Sequence, residues 1–213
     1  MHIKIENLMP HPLLSIKHNE NSIWGKTIQL SPKQNILLNA SSGKGKSTFL
    51  STIFGLRKDY NGAIFFDGID IKNLTLDDWA TIRSSKIAAV FQDLQLFPKL
   101  SVKDNLLLKN ELTHKKTEEE FISELKKVGM EDKWEQKCGL LSMGQQQRIA
   151  IIRALSQPFE WLIMDEPFSH LDDENTQICL NMIAEETEKE SAGFILTTLG
   201  DRHEFQFDLE LNL

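Results

Sequence analysis

Hydrophobic and polar positions follow three rhythms along the chain, and each predicts a different kind of element. Over residues 2–30, Ile3, Ile5 and Leu8, then Leu13, Leu14 and Ile16, then Ile23, Thr27, Ile28 and Leu30 keep a strand-like alternation. Pro10, Pro12 and the polar run Lys17-His18-Asn19-Glu20-Asn21-Ser22 interrupt it. The alternation predicts short antiparallel strands leading into the solid apolar run Ile36-Leu37-Leu38. Asp59-Tyr60-Asn61-Gly62 reads as a turn, Ala63-Ile64-Phe65-Phe66 as a strand and Asp67-Gly68 as a second turn. A short helix over 77–83 and a buried strand at Lys86-Ile87-Ala88-Ala89-Val90-Phe91 follow.

Residues 101–137 are charged and helical in spacing. Ser101 with Asp104 and Thr117 with Glu120 fit the pattern in which a helix-capping hydroxyl is answered three residues later by a carboxylate. Phe121, Leu125 and Val128 form one buried stripe, and Glu118-Glu119-Glu120 a solvated first turn suited to the helix dipole. From residue 144 the rhythm becomes helix over 145–155, strand at Trp161-Leu162-Ile163-Met164, helix over 173–190 and strand at Phe194-Ile195-Leu196-Thr197-Thr198. Strand, crossover helix and parallel strand is the mark of an α/β core. Phe205, Phe207, Leu209 and Leu211 alternate, predicting a final edge strand or hairpin.

Between the run 36–38 and the helical 49–54 lies Asn39-Ala40-Ser41-Ser42-Gly43-Lys44-Gly45-Lys46-Ser47-Thr48. Gly43 and Gly45 permit a curled backbone whose N–H groups face inward toward phosphates, at the positive end of the next helix. Lys46 would bring a charge to the β- and γ-phosphates, and the Ser47 hydroxyl would bind Mg²⁺. Lys44 adds positive field from a position expected to face solvent. Ala40 stands where the phosphate-loop template has glycine, and alanine does not take positive φ as cheaply.

A second constellation is Leu162-Ile163-Met164-Asp165-Glu166, which puts carboxylates at the carboxyl end of a buried strand, where open α/β sheets bind ligands. Asp165 would hold Mg²⁺ opposite Ser47, and Glu166 would accept a proton from an attacking water.

The third element is Leu141-Ser142-Met143-Gly144-Gln145-Gln146-Gln147-Arg148 at the start of a helix. It resembles the signature of the ATP-binding cassette (ABC) ATPases. Val90-Phe91-Gln92 is similar to that family's glutamine loop, Asp165-Glu166-Pro167 to its second nucleotide motif, and Ser169-His170-Leu171-Asp172 to its D-loop. The resemblance covers nearly the whole chain in the right order. It implies an α/β fold of the P-loop NTPase class, with a mixed sheet core, an N-terminal antiparallel β subdomain and a helical lobe at about 101–144 inserted in one domain spanning 1–213.

The resemblance also implies roles. Ser42, Gly43, Lys44, Gly45, Lys46, Ser47 and Thr48 of one copy would hold ATP, while Ser142, Gly144 and Gln145 of a second copy would cap its γ-phosphate. Nucleotide thereby joins a homodimer. Gln92 would contact Mg²⁺ and the attacking water, the segment 93–100 would sense a separate membrane permease, and Asp172 would cross-link the two sites. Around Phe91-Gln92-Asp93-Leu94-Gln95-Leu96-Phe97-Pro98 the chain is most similar to lipoprotein-release and macrolide-export cassettes.

Departures touch catalysis. Met143 replaces the first glycine of the usual pair. The family's switch histidine should fall near Thr198 or Leu199, and neither is histidine, which predicts slow hydrolysis; His203 would substitute only if its loop folds back. No tyrosine precedes Tyr60 to stack on adenine, leaving Met9, Pro10 or His11 to border it, with Trp24 read as core packing. His170 beside Asp172 imitates a catalytic pair, but reads as an interface or surface residue.

Composition narrows the setting. With 213 residues and 40% hydrophobic content, the chain can bury one sizeable core. A net charge of −7 and a pI near 5.4 argue against nucleic acid as a partner. The expected location is the cytoplasm, since no run is long enough to span a membrane and the N-terminus is unlike a secretory signal; the family resemblance adds a peripheral position on the cytoplasmic face of a membrane. Cys138 and Cys179 read as ordinary thiols. The resulting expectation is a Mg-dependent ATPase subunit powering a separate permease; the alternative is a non-transport or degenerate ABC ATPase acting as a regulatory switch with little hydrolysis.

Overall fold

The computed structural model describes residues 1–41, 43–198, 200 and 204–213, so that Ser42, Leu199 and His203 lie outside the described residues. In chain order the elements are β1 (Ile3–Pro10), β2 (Ile28–Leu30), β3 (Asn35–Asn39), α1 (Lys46–Ile53), β4 (Tyr60–Phe66), β5 (Ile69–Asp70), α2 (Leu76–Ser85), β6 (Ile87–Val90), α3 (Val102–Asn110), α4 (Glu118–Lys127), α5 (Met143–Leu155), β7 (Trp161–Asp165), α6 (Asp173–Glu190), β8 (Gly193–Thr198) and β9 (Leu209–Asn212).

The solid apolar runs build a five-stranded sheet in the order β6-β7-β8-β3-β9, with every pairing parallel. Both faces are covered. Leu37, Leu162, Met164, Phe194 and Leu196 join a core with the buried faces of α3, α4, α5 and α6. Their neighbours Ile36, Leu38, Trp161, Ile163 and Ile195 join a second core with α1, α2 and the other sheet. That double burial is why β7, β8 and the middle of β3 carry unbroken apolar runs, whereas the edge strand β9 alternates. The antiparallel strands form a separate sheet, β2-β1-β4-β5. The mixed character expected of the core is therefore divided between two sheets.

Three local expectations change. Residues 13–16 and 23 do not form strands: after β1 the chain makes a 3₁₀ turn at His11–Leu13, burying Leu13 and leaving Leu14 57% exposed. Pro10 and Pro12 lack the N–H that a ladder requires, and Pro12 suits the start of a helical turn. Tyr60 to Gly62 belong to β4 and not to a turn, because β1 carries a bulge between Glu6 and Met9. Gly62, at φ +88°, is needed there, since a Cβ would lie 2.4 Å from the carbonyl oxygens of Glu6 and Asn7. Phe205 and Phe207 cluster on Phe194 at 5.4 and 6.1 Å and leave only 209–212 to form a strand, the parallel edge partner of β3.

The helical lobe forms as its caps direct. Ser101 with Asp104 and Thr117 with Glu120 each make the reciprocal cap, and Phe121, Leu125 and Val128 are buried. Between Lys127 and Met143 the helical segments are two 3₁₀ turns, at Glu131–Lys133 and Cys138–Leu140, and Lys137 bridges Ser101. The segment between α3 and α4 ties the lobe to the sheet core through charge: Lys115 Nζ lies 2.6 Å from Glu186 and 3.0 Å from Glu190 of α6, and donates to the carbonyls of Leu155 and Gln157. Lys116 pairs with Glu124 and reaches Glu186 at 3.6 Å.

Candidate active site

Strand β3 runs between β8 and β9 and delivers the chain at Asn39 to a turn that ends at α1. Gly43 and Gly45 take φ +77° and +104°, left-handed values that other residues adopt only at a cost. Ala40 is not among the residues with positive φ, so its Cβ is no obstacle at that place. Gly45 and Lys46 are buried, Ser47 is exposed, and Lys44 and Thr48 are half-buried. Lys44, expected to face solvent, is half-buried, and its carbonyl accepts a hydrogen bond from Trp24 Nε1 at 3.3 Å.

Lys46 Nζ donates to Ala40 O at 2.7 Å and lies 3.1 Å from Glu166 Oε1, both side chains being largely buried. Glu166 itself sits at φ +48°, a strained value for a residue with a side chain. Its N–H donates to Thr197 Oγ1 at 3.0 Å, and that hydroxyl donates to Asp165 Oδ1 at 2.9 Å. One threonine of β8 therefore holds the Asp165 carboxylate at the end of β7 and the backbone of Glu166 just after it, while the Glu166 carboxylate is held by Lys46. Sequence reasoning passed over Thr197; the available signal was a hydroxyl in a strand otherwise buried and apolar, which must find a partner.

Ser47, Gln92 and Asp165 line one open cleft of about 750 Å³ together with Ser51, Phe54 and Phe91. Phe91 stands edge-on to Phe54 at 5.2 Å, which seats the segment after β6 against the end of α1. That segment turns at Leu94 and Gln95, both at positive φ, and Arg153 of α5 donates to their two carbonyls at 2.7 Å each. Arg153 was also missed, since nothing local in the sequence links it to a loop so distant along the chain.

Ser142 is exposed and caps α5, accepting from Gln145 N while Gln145 Oε1 accepts from Ser142 N at 2.9 Å. Its hydrogen bonds join it to Gln145, whereas those of Lys46 join it to Ala40 and Glu166; the two sets form separate clusters. Met143 is 47% exposed beside it. A Cβ on Gly144 would lie 2.6 Å from His170 O, so this glycine admits the 169–172 turn at close range. Gln147 bolts the two together, donating to Ser169 Oγ at 2.8 Å and accepting from His170 N at 2.9 Å. We expect Gly144→Ala to cost about 2 kcal/mol or more of unfolding free energy, because backbone, not a flexible side chain, must give way; an unchanged urea midpoint would contradict this close approach.

His170 is exposed and its Nδ1 lies 3.0 Å from Ser169 Oγ, so no His170–Asp172 pair forms. Asp172 instead caps α6, and hydrogen bonds from the Asn175 backbone and side chain hold its carboxyl below the usual range. Of the residues expected near adenine, Met9 and Pro10 lie in β1, and exposed His11 has Nε2 3.3 Å from Asn61 Oδ1. Burial pushes the Cys138 thiol up to about 11 and the Cys179 thiol to about 12, which leaves neither nucleophilic at neutral pH.

The ABC transporter family model matches residues 25–169, from the segment before the phosphate loop to the turn after Glu166. The chain belongs to the ABC transporter family. It is an ATP-binding subunit of the cassette type, an ABC ATPase. It is 34% identical to the lipoprotein-releasing system ATP-binding protein LolD of Hyphomonas neptunium, over 83% of this chain and 78% of that one. It is 31% identical to the macrolide export ATP-binding/permease protein MacB of Syntrophobacter fumaroxidans, over 82% of this chain but 25% of that longer protein. The dimeric structure of the bacterial ABC transporter cassette MJ0796 superposes with a TM-score of 0.80 at 26% identity, covering 99% of this chain and 94% of that one. The same cassette in a post-hydrolysis state bound to ADP and Pi gives 0.75 at 28% identity, over 93% and 88%. Among the described residues of this ABC subunit, no helix is long and apolar enough to cross a membrane.

Proposed function

We propose that this subunit hydrolyses ATP to drive a membrane permease carried on a separate chain, working at the cytoplasmic face as a homodimer closed by bound nucleotide. The observation that carries the reading is the buried contact of Lys46 with Glu166, beside a cleft that also presents Ser47, Gln92 and Asp165. A lysine, a magnesium-type donor set and a second carboxylate converge where a triphosphate would end.

The residues present fit Mg²⁺. Asp165 is 3% exposed with one oxygen engaged by Thr197, and Ser47 and Gln92 share its cleft, so the donors are all hard oxygens. When bound with ATP, the ion would offset charge on the β- and γ-phosphates. The chain's own residues do the rest. Backbone N–H groups from Gly43 to Thr48 surround the phosphates, and Lys46 turns from Glu166 to the incoming anion. Glu166, relieved of its counter-ion, accepts a proton from water as the water oxygen bonds to the γ-phosphorus and the bond to the β-phosphate oxygen breaks, giving ADP and phosphate. Gln92 orients that water. From the partner copy, Ser142 and the N–H groups about Gly144 and Gln145 meet the γ-phosphate; Ser142 is exposed as this requires.

One observation favours the second reading, a nucleotide-dependent switch that hydrolyses little: Thr198 ends β8, opposite Asn39, where the family's histidine is expected. Phosphate release separates the two. The purified protein is expected to release phosphate slowly from Mg-ATP and faster with its permease. Release no greater than the protein-free blank in both conditions rejects the motor and leaves the switch.

A further inference from the structure

A loop that points its N–H groups at an anion turns carbonyls the other way, and a carbonyl turned toward the protein needs a donor. We propose that Trp24 is that donor, a positioning residue that holds the phosphate loop in its binding shape. The proposal rests on the phosphate-loop reading above and extends it to a residue outside the loop.

The contacts gather on the C-terminal half of the turn and the first turn of α1. Trp24 Nε1 donates to Lys44 O at 3.3 Å, and Lys44 lies between the two left-handed glycines. A Cβ on Gly45 would fall 3.0 Å from Trp24 Cζ2 and 2.6 Å from Leu13 Cδ1, so the loop rests directly on this ring and its neighbour. Phe49, one turn into α1, stands edge-on to the indole at 5.9 Å. The indole is itself fixed: it is 6% exposed, its backbone N–H donates to buried Ser22 Oγ at 3.2 Å, and His18 stands edge-on at 6.3 Å with Nε2 2.9 Å from Leu13 O. A buried indole N–H must find an acceptor in any case, as that of Trp161 does at Met1 O; what sets Trp24 apart is that its acceptor lies inside the glycine-rich turn. Here the N–H engages a carbonyl of the turn itself, that of Lys44 between Gly43 and Gly45, whose rotation would redirect the loop.

Trp24→Phe keeps a ring against Phe49 and Leu13 and removes the donor. Its KM for Mg-ATP and its Kd for ADP are expected to rise about five-fold, with kcat at saturation nearly unchanged. A merely structural loss would reduce the active fraction, lowering kcat with KM unmoved, and that result overturns the proposal, as does a KM equal to the parent's. Nuclear magnetic resonance of the unsubstituted protein gives a second test independent of the variant's folding. Of the indole N–H signals of the four tryptophans, that of Trp24 is expected to move on saturation with ADP, while those of Trp79, Trp134 and Trp161 stay. Calorimetric ADP binding with a stationary Trp24 signal overturns the tether alone; no ADP binding by the unsubstituted protein overturns the phosphate-loop reading beneath it.

Discussion

Glu166→Gln is expected to lower steady-state phosphate release by a factor on the order of 10²–10⁴, the range a positioned general base contributes. The amide keeps the shape and the N–H bond to Thr197 but cannot take the proton. It also cannot neutralise Lys46. In the parent the buried ammonium has a carboxylate oxygen 3.1 Å away that any phosphate must displace; with glutamine there, the anion meets no such competitor. Nucleotide affinity should therefore rise even for ADP, and ATP should hold the variant as a dimer that size exclusion detects. Turnover within ten-fold of the parent would remove Glu166 from the chemistry. A variant that elutes as a monomer under saturating ATP would remove the nucleotide-bridged dimer.

The second large effect belongs to Lys46→Ala. Truncating one partner of a buried charge pair leaves the other without compensation, and here Glu166 would remain beside Asp165 with no cation between them and the loop. Stability should fall by about 3 kcal/mol, and the Kd for ATP should rise by about two orders of magnitude, because two carboxylates then face the phosphates. The double variant Lys46→Ala with Glu166→Gln distinguishes these consequences. It is expected to recover most of the stability lost, since no charge is then stranded, without recovering the affinity that the ammonium supplied. Urea unfolding and calorimetry measure the two quantities; ATP affinity within three-fold of the parent for the single variant would show that Lys46 does not touch the phosphates.

Much of the site was legible because its parts are local. The caps at Ser101 and Thr117 need only residues three apart, and the glycines at 43 and 45 declare a turn that side chains resist. Local rules also misled. Leu13, Leu14 and Ile16 alternate like a strand, yet no neighbouring strand offers them a ladder, and Leu13 is instead used beneath Gly45. Ala40 was flagged as a poor glycine, although its place in the turn makes no demand for positive φ.

Residue type and short-range order alone determined the apolar strands, the capped helices and the glycine-lysine-serine turn, because backbone preference and burial pattern act over a few positions. Only the folded chain decided that Glu166 would lie against Lys46, that Thr197 would hold the Asp165 carboxylate and the Glu166 backbone, that Arg153 would hold the Gln92 segment and that Trp24 would meet Lys44. Those pairings depend on which strands become neighbours in the parallel sheet and on what packs against its ends. Strand order is set by the summed burial of two cores, not by any one stretch, so it brings together side chains that no spacing along the chain relates.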